Sequence, residues 1–379
     1  MPDLAPKDKN GKKIERQSIN YVEFGKGIQK QGATSFGVPI KTPIRACINY
    51  NSNLMVTAPN TELIKKRVMD EDFFLVTIDP YFTDTCDVSD YVLPGVTFME
   101  SEDIQNDQIS GYVCYNAQAV KPLGEAKTNL EFFNALAKAM GYTEKCFTWN
   151  SEAVCRKFLN TPFARSQNIT YEKLKKIGWI KPMRTPQTMK ELFPYYPYSP
   201  SDDLKFKTES GKCELYSKTF KDAGYHPVID LKDDWDYYKE HKDFGEKYLQ
   251  KYPLYFMTPG TQLQDNSNWG NMPYITKRVI RNGNAEIFMH ADDMKARGIN
   301  DGDTIEATNE KGTAIFTAVA TTQVKPGICY AWNNIWLKPT KSGTGANTLC
   351  SDGISDLGQG STYTASFIQV RRAKKQYRG

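Results

Sequence analysis

Asn51, Ser52 and Asn53 follow directly on the apolar run 44–50, IRACINY. Small polar residues after a strand leave backbone amides free to face a phosphate. A second apolar run, 73–78 (FFLVTI), ends in Asp79-Pro80-Tyr81-Phe82-Thr83-Asp84-Thr85. A carboxylate at a strand end accepts ribose hydroxyls, or the N1–H and N2–H2 of guanine. Hydroxyls a few residues further on donate to phosphate. In an α/β sheet, ligands bind outside the carboxyl ends of the strands. Asn51, Ser52, Asp79, Thr83 and Thr85 therefore read together as a nucleotide site, without the G-x-G-x-x-G fingerprint. Each of them taken singly also serves as an ordinary turn or cap residue.

Other chemistry has little material. The histidines are His226, His241 and His290, too few and too scattered for a His-based triad or a His-rich metal site. Eight cysteines stand at 47, 86, 114, 146, 155, 213, 329 and 350, the closest pair nine apart. No C-x-x-C occurs, so neither a zinc ribbon nor an iron–sulfur motif is supported, and the thiols read as reduced core residues. Glu100 reads as a cap or ion-pair residue, Lys212 as a turn residue, Trp332 and Trp336 as barrel core, and His290 as a loop residue. The sequence assigns no catalytic residue and no metal ligand.

The elements that position these residues are of two kinds. Up to about residue 140 the pattern is α/β: strands at 44–50, 73–78 and 91–93, an amphipathic helix at 61–69 with Thr61 as N-cap, and a helix at 129–140 ended by Gly141. That order predicts a parallel sheet with crossover helices. Helical pieces follow at 153–159 and 171–177, then a Pro/Tyr-rich segment at 193–200. The stretch 225–250 is charged, rich in Tyr and Asp, and reads as a linker. Beyond it, short β-rich runs at 255–257, 285–289, 304–308, 313–320, 328–332 and 366–370 are separated by turns such as Asn300-Asp301-Gly302-Asp303. They predict a compact β-barrel. The expected organisation is an N-terminal segment 1–40, an α/β domain 41–224, a linker 225–250 and a barrel 251–379.

Lys and Arg total 49 against 44 Asp and Glu in 379 residues. Five of those cations lie in the last nine residues, which leaves residues 1–370 with 44 charges of each sign. A basic nucleic-acid-binding body is excluded. No apolar stretch approaches ~18 residues, so none is long enough for a membrane span.

The order of the pieces carries a resemblance. The block Asp79-x3-Thr83-x-Thr85-x4-Asp90-Tyr91-Val92-Leu93-Pro94-x5-Glu100 resembles the signature of the molybdopterin oxidoreductase family of the dimethyl-sulfoxide-reductase type, D-x-F-x-T-x-T followed by A-D-V-V-L-P and a glutamate. Ser89 stands where alanine is usual. Residues 44–53 are similar to the family's strand ending in G-x-N-P, without the proline. Phe206-x-Thr208-x-Ser210-Gly211-Lys212-x-Glu214-Leu215-Tyr216-Ser217 resembles F-x-T-P-S-G-K-x-E-L-Y-S, with Glu209 in place of the proline. Thr258-Pro259-Gly260, Asn266-Ser267 and Asn271-x-Pro273-Tyr274 resemble T-P-H-x5-H-S-x3-N-x-P-W, with both histidines replaced. Residues 287–312 and Gly345-Ala346-Asn347-x-Leu349 resemble the family's barrel strands and its closing loop. The resemblance runs from about 40 to 372.

It implies a Rossmann-like α/β domain, then a double-psi barrel, and a molybdenum or tungsten centre held between two pyranopterin guanine dinucleotides. One dinucleotide would lie at the strand ends, with Asp90 joining that set, and the other on the barrel, against Thr258, Gly260, Asn266, Ser267 and Asn347. The family's iron–sulfur cysteines and its metal ligand lie in an N-terminal half to which nothing here corresponds. The expectation is a cofactor-binding C-terminal half of an oxidoreductase of anaerobic metabolism, inactive alone. It would work with that half or a complementary subunit, and with an iron–sulfur electron-transfer subunit. The compartment would be cytoplasmic, or periplasmic through a twin-arginine signal on the parent protein. Alternatives within the resemblance are a non-redox hydratase or transhydroxylase, and a structural subunit that kept the fold.

Overall fold

The computed structural model describes residues 18–28, 34–35, 38–40, 43–106, 110–183, 208–228, 244–355 and 357–374. The Pro/Tyr-rich segment 193–200, Phe206, His241 and most of the expected N-terminal segment and linker lie outside the described residues. The chain divides into two compact units, one of Met1–Thr77, Phe82–Val92 and Lys232–Gly379, the other of Ile78–Tyr81 and Leu93–Leu231.

Among the described residues of the first unit, helix α1 (Phe24–Gly27) precedes a two-stranded ladder, β1 (Thr34–Ser35) with β2 (Val38–Pro39). β3 (Ala46–Tyr50), β4 (Phe74–Asp79) and β5 (Tyr91–Pro94) form a three-stranded sheet in that order. Helices α2 (Leu54–Thr57) and α3 (Thr61–Val68) connect β3 to β4. Ile64 and Val68, one turn apart, are buried with Leu54, Met55 and Leu75, the spacing an amphipathic helix requires. The N-cap of α3 is Asn60, in the left-handed conformation at φ 57°, and Thr61 is its first helical residue. The expected cap thus shifts by one, because Asn tolerates the left-handed region that β-branched Thr avoids.

The barrel follows. Its strands are β9 (Leu254–Met257), β11 (Asn284–His290), β12 (Thr304–Thr308), β13 (Thr313–Thr321), β14 (Ile328–Ala331) and β15 (Ser366–Arg372). They pair in the order β11-β13-β12-β15-β9-β14, and β14 pairs back with β11 to close a ring of six. A two-residue strand, β10 (Ile280–Arg281), pairs with β11 outside the ring. Two of the pairs are parallel, β11 with β13 and β9 with β14. Alternate residues of β11 (Ala285, Ile287, Met289) point into one core with Phe256, Ile305, Phe316 and Ile368, the period of two that a strand dictates. Residues 244–250, the end of the expected linker, pack on this barrel with Lys251. Helix Gly245–Lys251 sets Tyr248 edge-on to Phe367 and gives its hydroxyl to Glu310 at 2.8 Å.

The second unit holds an antiparallel sheet of β6 (Asp103–Asn106), β7 (Val113–Asn116) and β8 (Trp179–Ile180). Helix α4 (Asn129–Ala139) starts in a capping box of Thr128 with Glu131 and ends before Gly141 at φ 80°. Glu100 closes a second capping box, accepting from the Thr97 amide and hydroxyl and, through its other oxygen, from the Leu123 amide. Those donors hold its carboxyl below the usual carboxylate range. Of the eight cysteines, Cys86, Cys155, Cys329 and Cys350 are buried, whereas Cys47, Cys114 and Cys146 are half-buried and Cys213 is exposed. Core status therefore holds for half of them.

Candidate functional site

A cavity of about 480 Å³ opens in the first unit, on one side of the barrel. Asn51 and Ser52, at the end of β3, line it together with Tyr21 and Thr57. The barrel supplies Thr258 after β9, the run Asn266-Ser267-Asn268, the pair Asn333-Asn334 after β14, and then Asn347 and Tyr363. All twelve lining residues are Asn, Ser, Thr or Tyr. The wall is therefore uncharged, and every side chain on it can donate or accept a hydrogen bond.

Backbone geometry explains why asparagine dominates. Asn51, Asn266 and Asn334 sit at φ 51°, 51° and 57°. Asn adopts this left-handed region more readily than other non-glycine residues. The lining is fixed from behind. The Asn347 side-chain amide donates to the Ala58 carbonyl at 3.1 Å, and the Asn347 carbonyl accepts from the Asn60 amide at 2.8 Å. The Asn333 side-chain amide donates to the Thr258 carbonyl at 3.2 Å. The Tyr21 hydroxyl is hydrogen-bonded to the Thr57 hydroxyl. The Trp336 indole N–H donates to the Ser267 carbonyl at 2.7 Å. The indole lies where any side chain at Gly270 would go, since a Cβ there would stand 2.1 Å from its Cδ1. Gly270→Ala is accordingly expected to displace Trp336 and cost about 1–3 kcal/mol. Chemical denaturation checks this, and an unchanged midpoint would mean that the ring has room to move.

Six of the eleven expected binding residues meet at this cavity: Asn51, Ser52, Thr258, Asn266, Ser267 and Asn347. Three others are committed to the scaffold. The Thr85 hydroxyl donates to Asn53 Oδ1 at 3.0 Å and accepts from the Met55 amide. The Thr83 hydroxyl is paired with the Cys86 thiol. Asp90 accepts the Leu75 amide of β4 at 2.6 Å. Gly260 is exposed, and among the described residues a Cβ there would meet nothing within 4 Å, so none of them requires glycine at this position. Asp79 belongs to the second unit, where its carboxylate accepts the Tyr81 amide and burial pushes its pKa up.

Asp84 is a scaffold residue of larger consequence. It is buried and accepts three hydrogen bonds, from Asn53 Nδ2 at 3.0 Å, the Leu337 amide at 3.0 Å and the Lys338 amide at 2.8 Å. It thereby ties the turn that carries Asn51 and Ser52 to the loop after Asn333-Asn334. Sequence reasoning missed Tyr21, Thr57, Asn268, Asn333, Asn334 and Tyr363. Of these only the Asn333-Asn334 pair left a signal, as polar residues just past a predicted strand.

The donor set suits a neutral heterocycle joined to a diphosphate. A pterin or guanine edge needs several neutral donors and acceptors side by side, and a diphosphate needs amides without a competing carboxylate. The lining offers both and holds no Asp or Glu. Gln264 donates to the Asn334 carbonyl at 3.1 Å, while its buried Oε1 has no partner among the described residues. That is an acceptor left over beside the site. Among the described residues no three His, Cys, Asp or Glu side chains come together in a way that would hold a metal ion.

Residues 254–367, the barrel, match the model of the molydopterin dinucleotide binding domain, and residues 10–139 match that of molybdopterin oxidoreductase. The probable oxidoreductase YoaE of Bacillus subtilis is 27% identical over 87% of this chain and 44% of its own length. The dimethyl sulfoxide reductase DmsA of Escherichia coli is 25% identical over 88% of this chain and 42% of its own length. The fold is similar to that of acetylene hydratase from Pelobacter acetylenicus, at a TM-score of 0.67 and 19% identity, over 88% of this chain and 45% of that one. The chain thus spans less than half the length of each of these relatives. With both family models matched in chain order, a six-stranded dinucleotide-type barrel and a wholly neutral cavity on it, the chain belongs to the molybdopterin oxidoreductase family, of the dimethyl-sulfoxide-reductase type.

Proposed function

We propose that this chain holds a guanine dinucleotide arm of a bis-molybdopterin cofactor, carrying molybdenum or tungsten, for an oxidoreductase of anaerobic metabolism. The observation that carries the reading is the uncharged, asparagine-rich cavity on the barrel that matches the dinucleotide-binding family model. Asn347, Thr258, Asn266, Ser267, Asn333 and Asn334 would hold the heterocycle and diphosphate, and Asn51 and Ser52 would face them from the end of β3. When bound, the metal with its pterins supplies the redox chemistry. The chain's own residues bind, orient and exclude water. The Asn347 amide, held by Ala58, keeps its Oδ1 available as an acceptor, and the Asn333 amide, held by the Thr258 carbonyl, does the same.

The Rossmann-like sheet and the double-psi barrel belong to the same proposal, the latter supported by the two parallel pairs among the six strands. So do a complementary polypeptide carrying the metal ligand, an iron–sulfur electron-transfer partner, and a cytoplasmic or periplasmic setting. No helix among the described residues is long and apolar enough to cross a membrane. The likeness to acetylene hydratase is compatible with a non-redox reaction and does not favour one.

The test is anaerobic purification of the full chain, with molybdenum and tungsten read by elemental mass spectrometry and GMP read after acid hydrolysis. GDP affinity is measured by equilibrium dialysis on the same sample. Guanine on the chain, or saturable GDP binding that GMP competes for, is the expected result. A folded chain with neither guanine nor GDP binding would overturn the reading.

A further inference from the structure

Asp352 is buried, with 5% of its side chain exposed, and four bonds from three separate parts of the first unit converge on it. Lys311, in the turn between β12 and β13, reaches Oδ1 at 2.7 Å. Lys26, in α1, reaches the same oxygen at 3.2 Å and donates to the Asp352 carbonyl at 2.8 Å. Asn60, the cap of α3, donates its side-chain amide to Oδ2 at 2.9 Å.

Two of those arms lead to the cavity wall. The Asn60 backbone amide donates to the Asn347 carbonyl, and Asn347 lines the cavity. Lys26 lies five residues after Tyr21, another lining residue, on a segment also held by the Asn20 side chain at the Gln359 carbonyl, 2.9 Å away. Removing the carboxylate would free both walls together. Asp352 itself does not line the cavity.

We propose that Asp352 is a positioning residue for the guanine dinucleotide, acting through Asn60 on Asn347 and through Lys26 on Tyr21. The proposal rests on the cavity reading given above. Burial opposes ionisation, but Lys311, Asn60 and Lys26 together hold the carboxyl below its usual range. A buried carboxylate with two cations and an amide is costly to break on one side and fixes the elements it joins.

The test is GDP binding by equilibrium dialysis on the full chain, with the unfolding temperature read in parallel. Asn60→Gly removes the side-chain donor and leaves the backbone at ease at φ 57°. Lys26→Met cuts the other arm, and Lys26→Arg keeps the ion pair. Asn60→Gly and Lys26→Met are each expected to raise the Kd for GDP roughly fivefold, and Asp352→Asn at least roughly tenfold. Lys26→Arg is expected at the wild-type Kd. Added to Asp352→Asn, the other two changes should move Kd no further, because the joint they act through is gone. A merely structural Asp352 would lower the unfolding temperature and leave these Kd values alike, and that result overturns the proposal. Wild-type chain that binds no GDP and releases no GMP overturns the cavity reading, and the proposal with it. The two failures are thus told apart by the wild type alone.

Discussion

Asp84→Ala is expected to lower the free energy of unfolding by about 3–5 kcal/mol, because three donors lose one carboxylate acceptor at about 1–3 kcal/mol each. The cost comes from what is left behind. Asn53 Nδ2 and the amides of Leu337 and Lys338 all point at the carboxylate. An orphaned buried donor costs about 1–3 kcal/mol. Asp84→Asn keeps an acceptor for the two backbone amides but sets one amide group against another at Asn53. Asn53 cannot simply turn over, because its Oδ1 already accepts from the Thr85 amide and hydroxyl. An intermediate loss of about 1–3 kcal/mol follows. Urea denaturation reads both. An alanine variant within 1 kcal/mol of wild type would mean that water replaces the carboxylate, and the argument would fail.

The same residue sets a pH dependence. Burial pushes the Asp84 pKa up, more strongly than its Asn53, Lys338 and Leu337 partners pull it down. The folded state therefore binds this proton more readily than the unfolded chain does. The stability that protonation contributes is fully present below the unfolded value, about 3.9. It is lost as pH rises through the higher folded pKa. Wild type should thus lose ground against Asp84→Asn as pH is raised across that window. A difference that stays flat there would contradict the assignment.

Asn347→Leu is expected to weaken guanine nucleotide binding by about tenfold to a hundredfold, or about 1.4–2.8 kcal/mol. Leucine is close to asparagine in size but has no acceptor to offer a heterocycle. It also leaves the Ala58 carbonyl without its donor at 3.1 Å. The second effect lowers stability by about 1 kcal/mol, so the unfolding midpoint is read alongside the Kd for GDP. Loss of binding well beyond the loss of stability identifies Asn347 as a contact residue. Unchanged GDP affinity would remove it from the site.

Much of the architecture could be read before any coordinates. The β-rich runs of the last third become strands at nearly the expected positions, because alternation along a strand is written directly into residue order. The helix at Tyr171–Ile177 has the expected bounds. The site was half legible, for a definite reason. Asn51 and Ser52 follow a strand, where polar residues stand out, and Thr258, Asn266, Ser267 and Asn347 were marked by the resemblance to the family's barrel motifs. The strand-end criterion also selected Thr83 and Thr85, and the resemblance added Asp90, but the polar atoms of all three are taken up by Cys86, Asn53 and Leu75. Residue order does not show which hydroxyls and carboxylates the fold itself will satisfy. Tyr21 and Tyr363 were invisible because nothing local marks them; long-range packing brings them to the wall. Asp352 was hidden in the same way, since two of its three partners, Asn60 and Lys26, lie 292 and 326 residues away along the chain.

The pairing order of the barrel bears on how it is made. β15, Ser366–Arg372, lies between β12 and β9 and is hydrogen-bonded to both. It is also the last of the six strands to leave the ribosome. Until it arrives, β9 has waited through more than a hundred residues of synthesis with one side unpaired, and β12 likewise has an open edge. Unpaired edges recruit other chains. The nascent barrel is therefore most exposed to misassembly late in translation, when five strands are present and the keystone is not. A chaperone that shields those two edges would have its binding window there, and the window would shut once residue 372 is free to dock.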